Sequence, residues 1–393
     1  MRLFSDFKAL CYLSMKTIST FCFCCWASVF LFGCKSTSEK HKSVDYNFDT
    51  KTIQWKLNKD FEIKDIVKNI QYVILENDSQ ESMFHEINKL IIKNDRIYIL
   101  DSDSPSLLVF DIKGKFLHRI GRQGNGPGEY VRFINFTVNE SDEVFVYDIA
   151  KGNIMKFDKG GNFIDSNESL FGLRDFVHLP DDQFLSSLNI HVKNNLNRKV
   201  ILTDDFRESD KSFFTYHKNF MDNRFNLVTF TSFEDKIAYM YPVNDTLFIF
   251  DHHGSLREAW FFDFGRRRLP ENLKNDYMKT LEEERRGNSN HIYITETPIC
   301  FKNYIFAEIR INGQNGIFVY DTAKNKTTYE ILAPETFSLY NINVPMCNVS
   351  DSLIASCLYI DTYLIIKDKI SVSSEIDAHL ENGGVVIILY TIE

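Results

Sequence analysis

Cysteine is scarce in the body of this chain. Five of its eight cysteines (Cys11, Cys22, Cys24, Cys25 and Cys34) fall in the first 34 residues, and only Cys300, Cys347 and Cys357 follow. These three show no C-x-x-C spacing, which speaks against a structural zinc site. One disulfide stays open as an alternative, and buried free thiols are the simpler reading. The chain also lacks a G-x-S-x-G elbow, an H-E-x-x-H helix and a Walker loop, so none of the chemistries those motifs support is written here. A basic surplus is missing as well. Lys and Arg number 45 against 54 Asp and Glu, for a formal charge of −9. That balance excludes nucleic acid and an anionic membrane face as natural partners. The expectation is no metal and no cofactor. What is plentiful is aromatic: 35 Phe and 18 Tyr, a composition that favours sheet over helix.

The first 33 residues read as a targeting segment. Lys16 precedes an uncharged run over 17–33 that ends Leu31-Phe32-Gly33-Cys34. A basic start, an apolar stretch and a small residue before the cut are the parts of a secretory signal. The ending looks like a lipobox, with Cys34 as the lipidated first residue of the mature protein and Phe32 bulkier than the usual occupant. Met15 is an alternative start that gives a more typical leader length. A transmembrane anchor is the competing reading, but a run of 17 residues is at the lower limit for a span. Cleavage takes the charge from −9 to −11, because Arg2, Lys8, Lys16 and Asp6 leave with the leader. The expected organisation is signal peptide 1–33, lipidated Cys34 with a polar tether over 34–55, and a folded domain over 56–393. The membrane is then a partner through the N-terminal lipid alone.

The folded part repeats. Leu108-Val109-Phe110-Asp111-Ile112-Lys113-Gly114-Lys115-Phe116 recurs as Met155-Lys156-Phe157-Asp158-Lys159-Gly160-Gly161-Asn162-Phe163. Phe110, Asp111, Gly114 and Phe116 each recur 47 residues on, and Asp101 recurs as Asp148 at the same offset. Val200-Ile201-Leu202-Thr203 fills the third slot, Leu247 to Gly254 the fourth, and Gly316 to Asp321 the fifth. The last spacing is longer, and the excess falls on 268–287. There Leu273, Tyr277 and Leu281 followed by Gly287 predict a short helix inserted between units four and five. It is the only convincing helix in the mature chain. A period in the forties with four short strands per unit predicts an all-β propeller of four-stranded blades. Six blades fit the length, with seven as the alternative. The strand around Ile70 to Leu75 and the last run, 384–390, are expected to share the closing blade.

Units one and two resemble the NHL repeat, running from Gly121 through Gly161. The Arg that usually follows the strand-ending Asp is absent, since Ser106 and Asn153 occupy those places. Residues of NHL-type lyases and hydrolases therefore do not carry over. The chain also resembles the six-bladed β-propeller lipoproteins of Bacteroidetes. The resemblance rests on Cys34, on the stretch Gly124 to Tyr130 after Gly121-Arg122, and on Asn244-Asp245-Thr246-Leu247-Phe248 followed by Phe262-Asp263-Phe264-Gly265. It implies the fold and an outer-membrane address, on the periplasmic face or at the cell surface, and no activity.

The candidate site is 121–130, a glycine-rich joint without a counterpart one period on. It should lie on the face that carries the blade-to-blade connections and the turns between second and third strands. Candidate ligand residues are Arg122, Gln123, Asn125, Glu129 and Tyr130, with Asp101 and Asp148 at neighbouring turns. Its glycines would let backbone N–H groups approach a ligand. The plainer reading, and the favoured one, is a rigid connector whose Tyr130 packs between blades. His252 and His253 are expected to be solvated. Arg266, Arg267 and Arg268 should pair with Glu282, Glu283 and Glu284 or stay in water. The turn Asp101 to Ser104 has a calcium-like rhythm without the distal Glu of an EF-hand. The lead reading is a binding or scaffold module for a glycan, a peptide or an envelope protein. A propeller hydrolase or lyase with a channel-mouth site, and an accessory subunit of an outer-membrane nutrient-uptake complex, are the alternatives.

Overall fold

Six antiparallel sheets of short strands follow one another around a ring. The computed structural model describes residues 48–393 apart from 59, 190, 191, 193, 194, 196, 218, 219, 222–227, 242, 288 and 333–345. The leader, Cys34 and the tether as far as residue 47 lie outside the described residues. Blade 1 runs, from inside outward, Lys89–Lys93, Arg96–Asp101, Ser106–Asp111 and Phe116–Arg119. Blade 2 is Phe133–Val138, Val144–Asp148, Asn153–Phe157 and Phe163–Glu168, and blade 3 is Leu173–His178, Phe184–Leu188, Arg198–Thr203 and Lys211–Thr215. Blade 4 holds Phe230–Phe233, Lys236–Tyr239, Thr246–Asp251 and Leu256–Asp263. Blade 5 sets two short inner strands, Ile292–Ile294 and Ile299–Phe301, against Tyr304–Ile311, then Gln314–Asp321 and Lys326–Ile331. Blade 6 combines Cys347–Ser350, Leu353–Leu358 and Val386–Ile392 with Val67–Ile74 from the other end of the chain.

The repeat has a mechanical cause. At the end of the third strand of blades 1, 2, 4 and 5, Asp111, Asp158, Asp251 and Asp321 turn their Oδ1 onto backbone N–H groups of the following hairpin. This is the Asx turn that favours Asp at that place. The glycines that follow have φ of +87° at Gly114, +83° at Gly161 and +69° at Gly254. Aromatic and aliphatic side chains fill the space between blades. Leu100, Leu107, Val109, Phe136 and Val146, for instance, form one cluster between blades 1 and 2.

The closing blade forms as expected, and the ring has six blades. The insertion also falls where the sequence places it, as helices Glu271–Lys274 and Tyr277–Arg285 between blades 4 and 5. Two expectations fail. The insertion is not the only helical one, because Ile360–Ile366 and Ser374–Glu381 form a second pair between strands two and three of blade 6. The tether also ends sooner than residue 55, because Asp49–Gln54 adds a fifth, parallel strand to the outer edge of blade 4. Only Ile53 of that strand is buried, so its sequence reads as polar linker.

After this strand the chain straps blade 5. Trp55 stacks on Tyr329 at 4.4 Å and on Phe318 at 5.6 Å. Asn58 exchanges two hydrogen bonds with Thr327, and Phe61, Ile63 and Ile66 are buried before the closing strand begins. Asp49 pairs with Glu258 and Gln54 with Asp263. The described chain therefore enters beside the 252–255 turn. That end of the ring, with all the turns between first and second and between third and fourth strands, is called the hairpin face here. The opposite end is the joint face.

Candidate functional site

The glycine-rich joint is held by its own residues. Arg122 and Gln123 pair in parallel with Glu129 and Tyr130. The Glu129 carboxylate accepts from Arg122 Nε at 2.7 Å and from the Gly126 amide at 2.8 Å. These two donors, the amide first, hold the Glu129 carboxyl below the usual range. A Cβ on Gly124 would lie 2.2 Å from Glu129 Oε2, and one on Gly128 would lie 2.6 Å from Phe163 Cβ. The glycines thus make room for protein atoms. Tyr130 is buried between blades 1 and 2, packs edge-on against Phe133 at 4.4 Å and donates to Pro105 O at 3.0 Å. Burial pushes its phenol up to about 12, so it stays a donor. Pro105 belongs to the turn between strands two and three of blade 1, which puts the joint on the expected face. Arg122, Gln123 and Asn125 remain exposed.

Asp101 and Asp148 are fully buried and committed to backbone. Asp148 accepts from Val131 and Arg132 of the incoming connection and from Ala150 and Lys151 of its own turn. Asp101 accepts from His85 in the same way and from Asp103 and Ser104. One device, repeated 47 residues apart, ties each turn to the connection that enters its blade. Among the described residues no three His, Cys, Asp or Glu side chains come together as a metal cage.

A cavity of about 1140 Å³ follows the central channel, walled by the inner strands of all six blades. Its wall mixes charge (Glu86, Glu234, Glu296 and Lys302) with apolar groups (Val177, Phe230 and Phe301). Inner strands are sheet edges, whose free N–H and C=O groups need partners. Side chains from neighbouring blades supply them. Buried Lys89 donates to Asp175 Oδ1 at 2.8 Å, Asn135 Oδ1 at 2.7 Å and Phe136 O at 2.9 Å. Asn135 donates on to Arg174 O, and Asp175 Oδ2 accepts from the amides of Thr229 at 2.7 Å and Phe230 at 2.9 Å. This chain of bonds links blades 1 to 4. Thr231 to Pro298 O, and Asn348 to Ser232 O and Cys300 O, join blades 4, 5 and 6.

A family model for DUF4934, a domain of unknown function, matches residues 46–376. The chain belongs to the DUF4934 family. Its matched segment starts just before the blade 4 edge strand and covers blades 1 to 5 and all of blade 6 except the strand Val386–Ile392. BF0058 from Bacteroides fragilis NCTC 9343, assigned as an exported protein, superposes on it with a TM-score of 0.71 at 16% identity, covering 87% of this chain and 100% of that one. A DUF4221 family member from Bacteroides vulgatus ATCC 8482 gives a TM-score of 0.49 at 12% identity, covering 84% of this chain and 97% of that one. At these identities the likeness concerns the fold. No curated protein matches the chain.

Other candidates of this DUF4934 chain fall as follows. His252 and His253 are exposed on the hairpin face. The arginine run does not pair with Glu282, Glu283 and Glu284. Arg268 bonds Asp245 and Glu271, and Arg267 bonds Asn290 O and Asn312. Asp245 is buried in the turn beneath the insertion and takes Lys274 as well, at 2.6 Å, so it is the nearer and better desolvated partner. Glu284 instead bonds Arg310 and Tyr293. Cys300, Cys347 and Cys357 are free thiols, raised by burial. Sequence reading passed over Lys89, Asn135, Asp175 and Asn348. Their one signal is a charged or amide residue inside an apolar strand.

His178 gives the channel wall a pH dependence. It lies against Phe145 and Phe184, and burial holds its pKa below the ordinary 6.5 although Asp182 Oδ1 at 3.1 Å partly offsets this. The unfolded chain takes up a proton near 6.5 and the folded one resists it. Its contribution is therefore complete above that pH and lost as pH falls from there through the lowered folded value. Urea midpoints should drop between pH 7.5 and 5.5, and drop less in His178→Phe, which keeps the aromatic packing. Equal drops in both proteins would refute the assignment.

Proposed function

We propose that this protein is an envelope propeller, held by lipid at Cys34, that binds a peptide or protein partner on its joint face. The distribution of exposed apolar side chains carries the reading. Among the described residues, Met83, Val131, Leu170, Met221, Met278, Leu364 and Ile365 are exposed on connections and turns of the joint face. The other exposed large apolar side chains among the described residues are Leu57 on the strap and Leu117, Phe163 and Ile164 on the outer strands of blades 1 and 2, and the chain enters from the hairpin side. Exposed apolar side chains concentrated on the connections of one end of a ring mark a contact surface. In this reading Arg122, Gln123 and Asn125 are available to the partner, while Glu129, Tyr130, Asp101 and Asp148 hold the joint in shape.

The leader pattern supports the envelope address, and the exported BF0058 is consistent with it. Outer-membrane placement is part of the same proposal and rests on the resemblance to the Bacteroidetes propeller lipoproteins. Cys34→Ala should abolish palmitate labelling and move the protein to the soluble fraction, and labelling that persists would refute the address. For the binding face, photo-crosslinking residues at Leu170 and Met278 should give a discrete adduct in cells, while those at Lys113 and His253 should give none. Adducts from the hairpin face alone, or none from the joint face, would overturn it.

A further inference from the structure

The helix Ile360–Ile366 is apolar on both sides. Tyr363 and Ile366 are buried in the core between blades 5 and 6, and Ile360 packs beside them. Leu364 and Ile365 point outward, 60% and 42% exposed. On a helix with one face in the core, the outward face is normally polar, so the outward pair Leu364 and Ile365 is apolar surface without its cover. Asp361, Leu364 and Ile365 are exposed at positions i, i+3 and i+4 of the helix, and Asp368 is exposed in the 3-10 turn that follows it. Two adjacent aliphatic side chains thus have an exposed carboxylate before them on the helix and another just beyond its end.

The surroundings add to this sign. Between 360 and 381 lie Asp361, Asp368, Glu375, Asp377 and Glu381 against Lys367 and Lys369. Lys367 is already held by Asp377 at 3.0 Å and by Glu381. The neighbouring connection to blade 1 is tied to this insertion by the Ile87 amide, which donates to Tyr359 at 2.9 Å. That connection exposes Asp78 and Glu86 as well as Met83, while its Glu81 is paired with Arg119 of blade 1. A second copy of this acidic chain and an anionic bilayer would both be repelled.

We infer that the outer face of the blade 6 helical pair docks a basic amphipathic segment of a partner protein, whose apolar side chains cover Leu364 and Ile365 while its Lys or Arg residues meet Asp361 and Asp368. This rests on the joint-face reading and names the chemistry of its partner. The segment is a helix or extended strand with cationic residues flanking an aliphatic anchor, in the manner of groove-bound amphipathic peptides.

The test uses the full chain in mild detergent and two labelled synthetic peptides, one of alternating Leu and Lys blocks and one with Glu replacing Lys. The Lys peptide should bind with an affinity that falls as salt rises, and the Glu peptide should not bind. Leu364→Ser with Ile365→Ser should weaken binding about tenfold or more. Asp361→Asn with Asp368→Asn should weaken it and flatten the salt dependence. His253→Ser, an exposed change on the hairpin face, should leave it unchanged. All these positions are exposed, so folding is not at stake. Affinity unmoved by the helix variants, or equal binding of the Glu peptide, overturns the inference. So does a wild-type dimer that Leu364→Ser converts to monomer, or phosphatidylglycerol vesicles that compete with the Lys peptide for Leu364 and Ile365. If joint-face crosslinks form while the helix variants bind normally, this inference fails and the broader reading stands. If peptide binding tracks the helix variants but cells yield no joint-face adduct, the broader reading fails instead.

Discussion

Asp175→Ala should lower the unfolding free energy by about 3–5 kcal/mol. Its carboxylate is fully buried and takes Lys89 on one oxygen and the amides of Thr229 and Phe230 on the other. Without it the Lys89 ammonium stays buried with only neutral acceptors, and two edge amides of blade 4 lose their partner. Lys89→Met removes the cation and leaves Asp175 its backbone donors, so it should cost less. The double variant should cost less than the sum of the two singles, because the worst term in each is the partner left behind. Urea unfolding of the four proteins measures this directly. A loss under about 1 kcal/mol for Asp175→Ala would mean that the ring is joined by packing alone.

Gly114→Ala should be the most damaging glycine replacement. At φ +87° an L side chain is strained, and a Cβ there would lie 1.9 Å from Ile74 O of the closing strand. The two segments are bonded at this place, Glu76 N to Gly114 O at 2.9 Å and Phe116 N to the Glu76 carboxylate at 3.1 Å. The expected loss is more than about 2 kcal/mol. Gly152→Ala is the control. Its φ is +66° with nothing within 4 Å of a Cβ, so it should cost only the backbone strain of about 1–2 kcal/mol. Thermal unfolding of the two variants separates strain from collision. Equal losses would show that the contact between blades 6 and 1 adds nothing.

These two positions differ in how far the sequence reveals them. Gly114 is legible, because the Asp-x-x-Gly turn repeats and a period fixes where it must fall. The six-bladed ring, its closing blade and the first insertion follow from the same period. Asp175 is not legible, since its partner Lys89 is 86 residues away and no local pattern joins them. The strand Asp49–Gln54 is hidden because an outer edge needs only one buried side chain, here Ile53. The helix Ile360–Ile366 is hidden for the opposite reason. Its apolar run Tyr363-Leu364-Ile365-Ile366 is unbroken and too short to show a period that separates helix from strand. The joint 121–130 was legible as a singular loop, and its self-satisfied bonding bears on Glu129 and Tyr130 only once Gly126 and Pro105 are in place.

The parallel strand on blade 4 also bears on force. A pull through the N-terminus meets Asp49–Gln54 first, running along the strand axis. Its bonds to Leu256–Asp263 then carry the tension side by side in shear, rather than opening one after another. The strap through Trp55 and Asn58 takes up strain next. Tugging on the tether therefore reaches the seam that closes the ring, at Val67–Ile74, only after two other attachments have yielded.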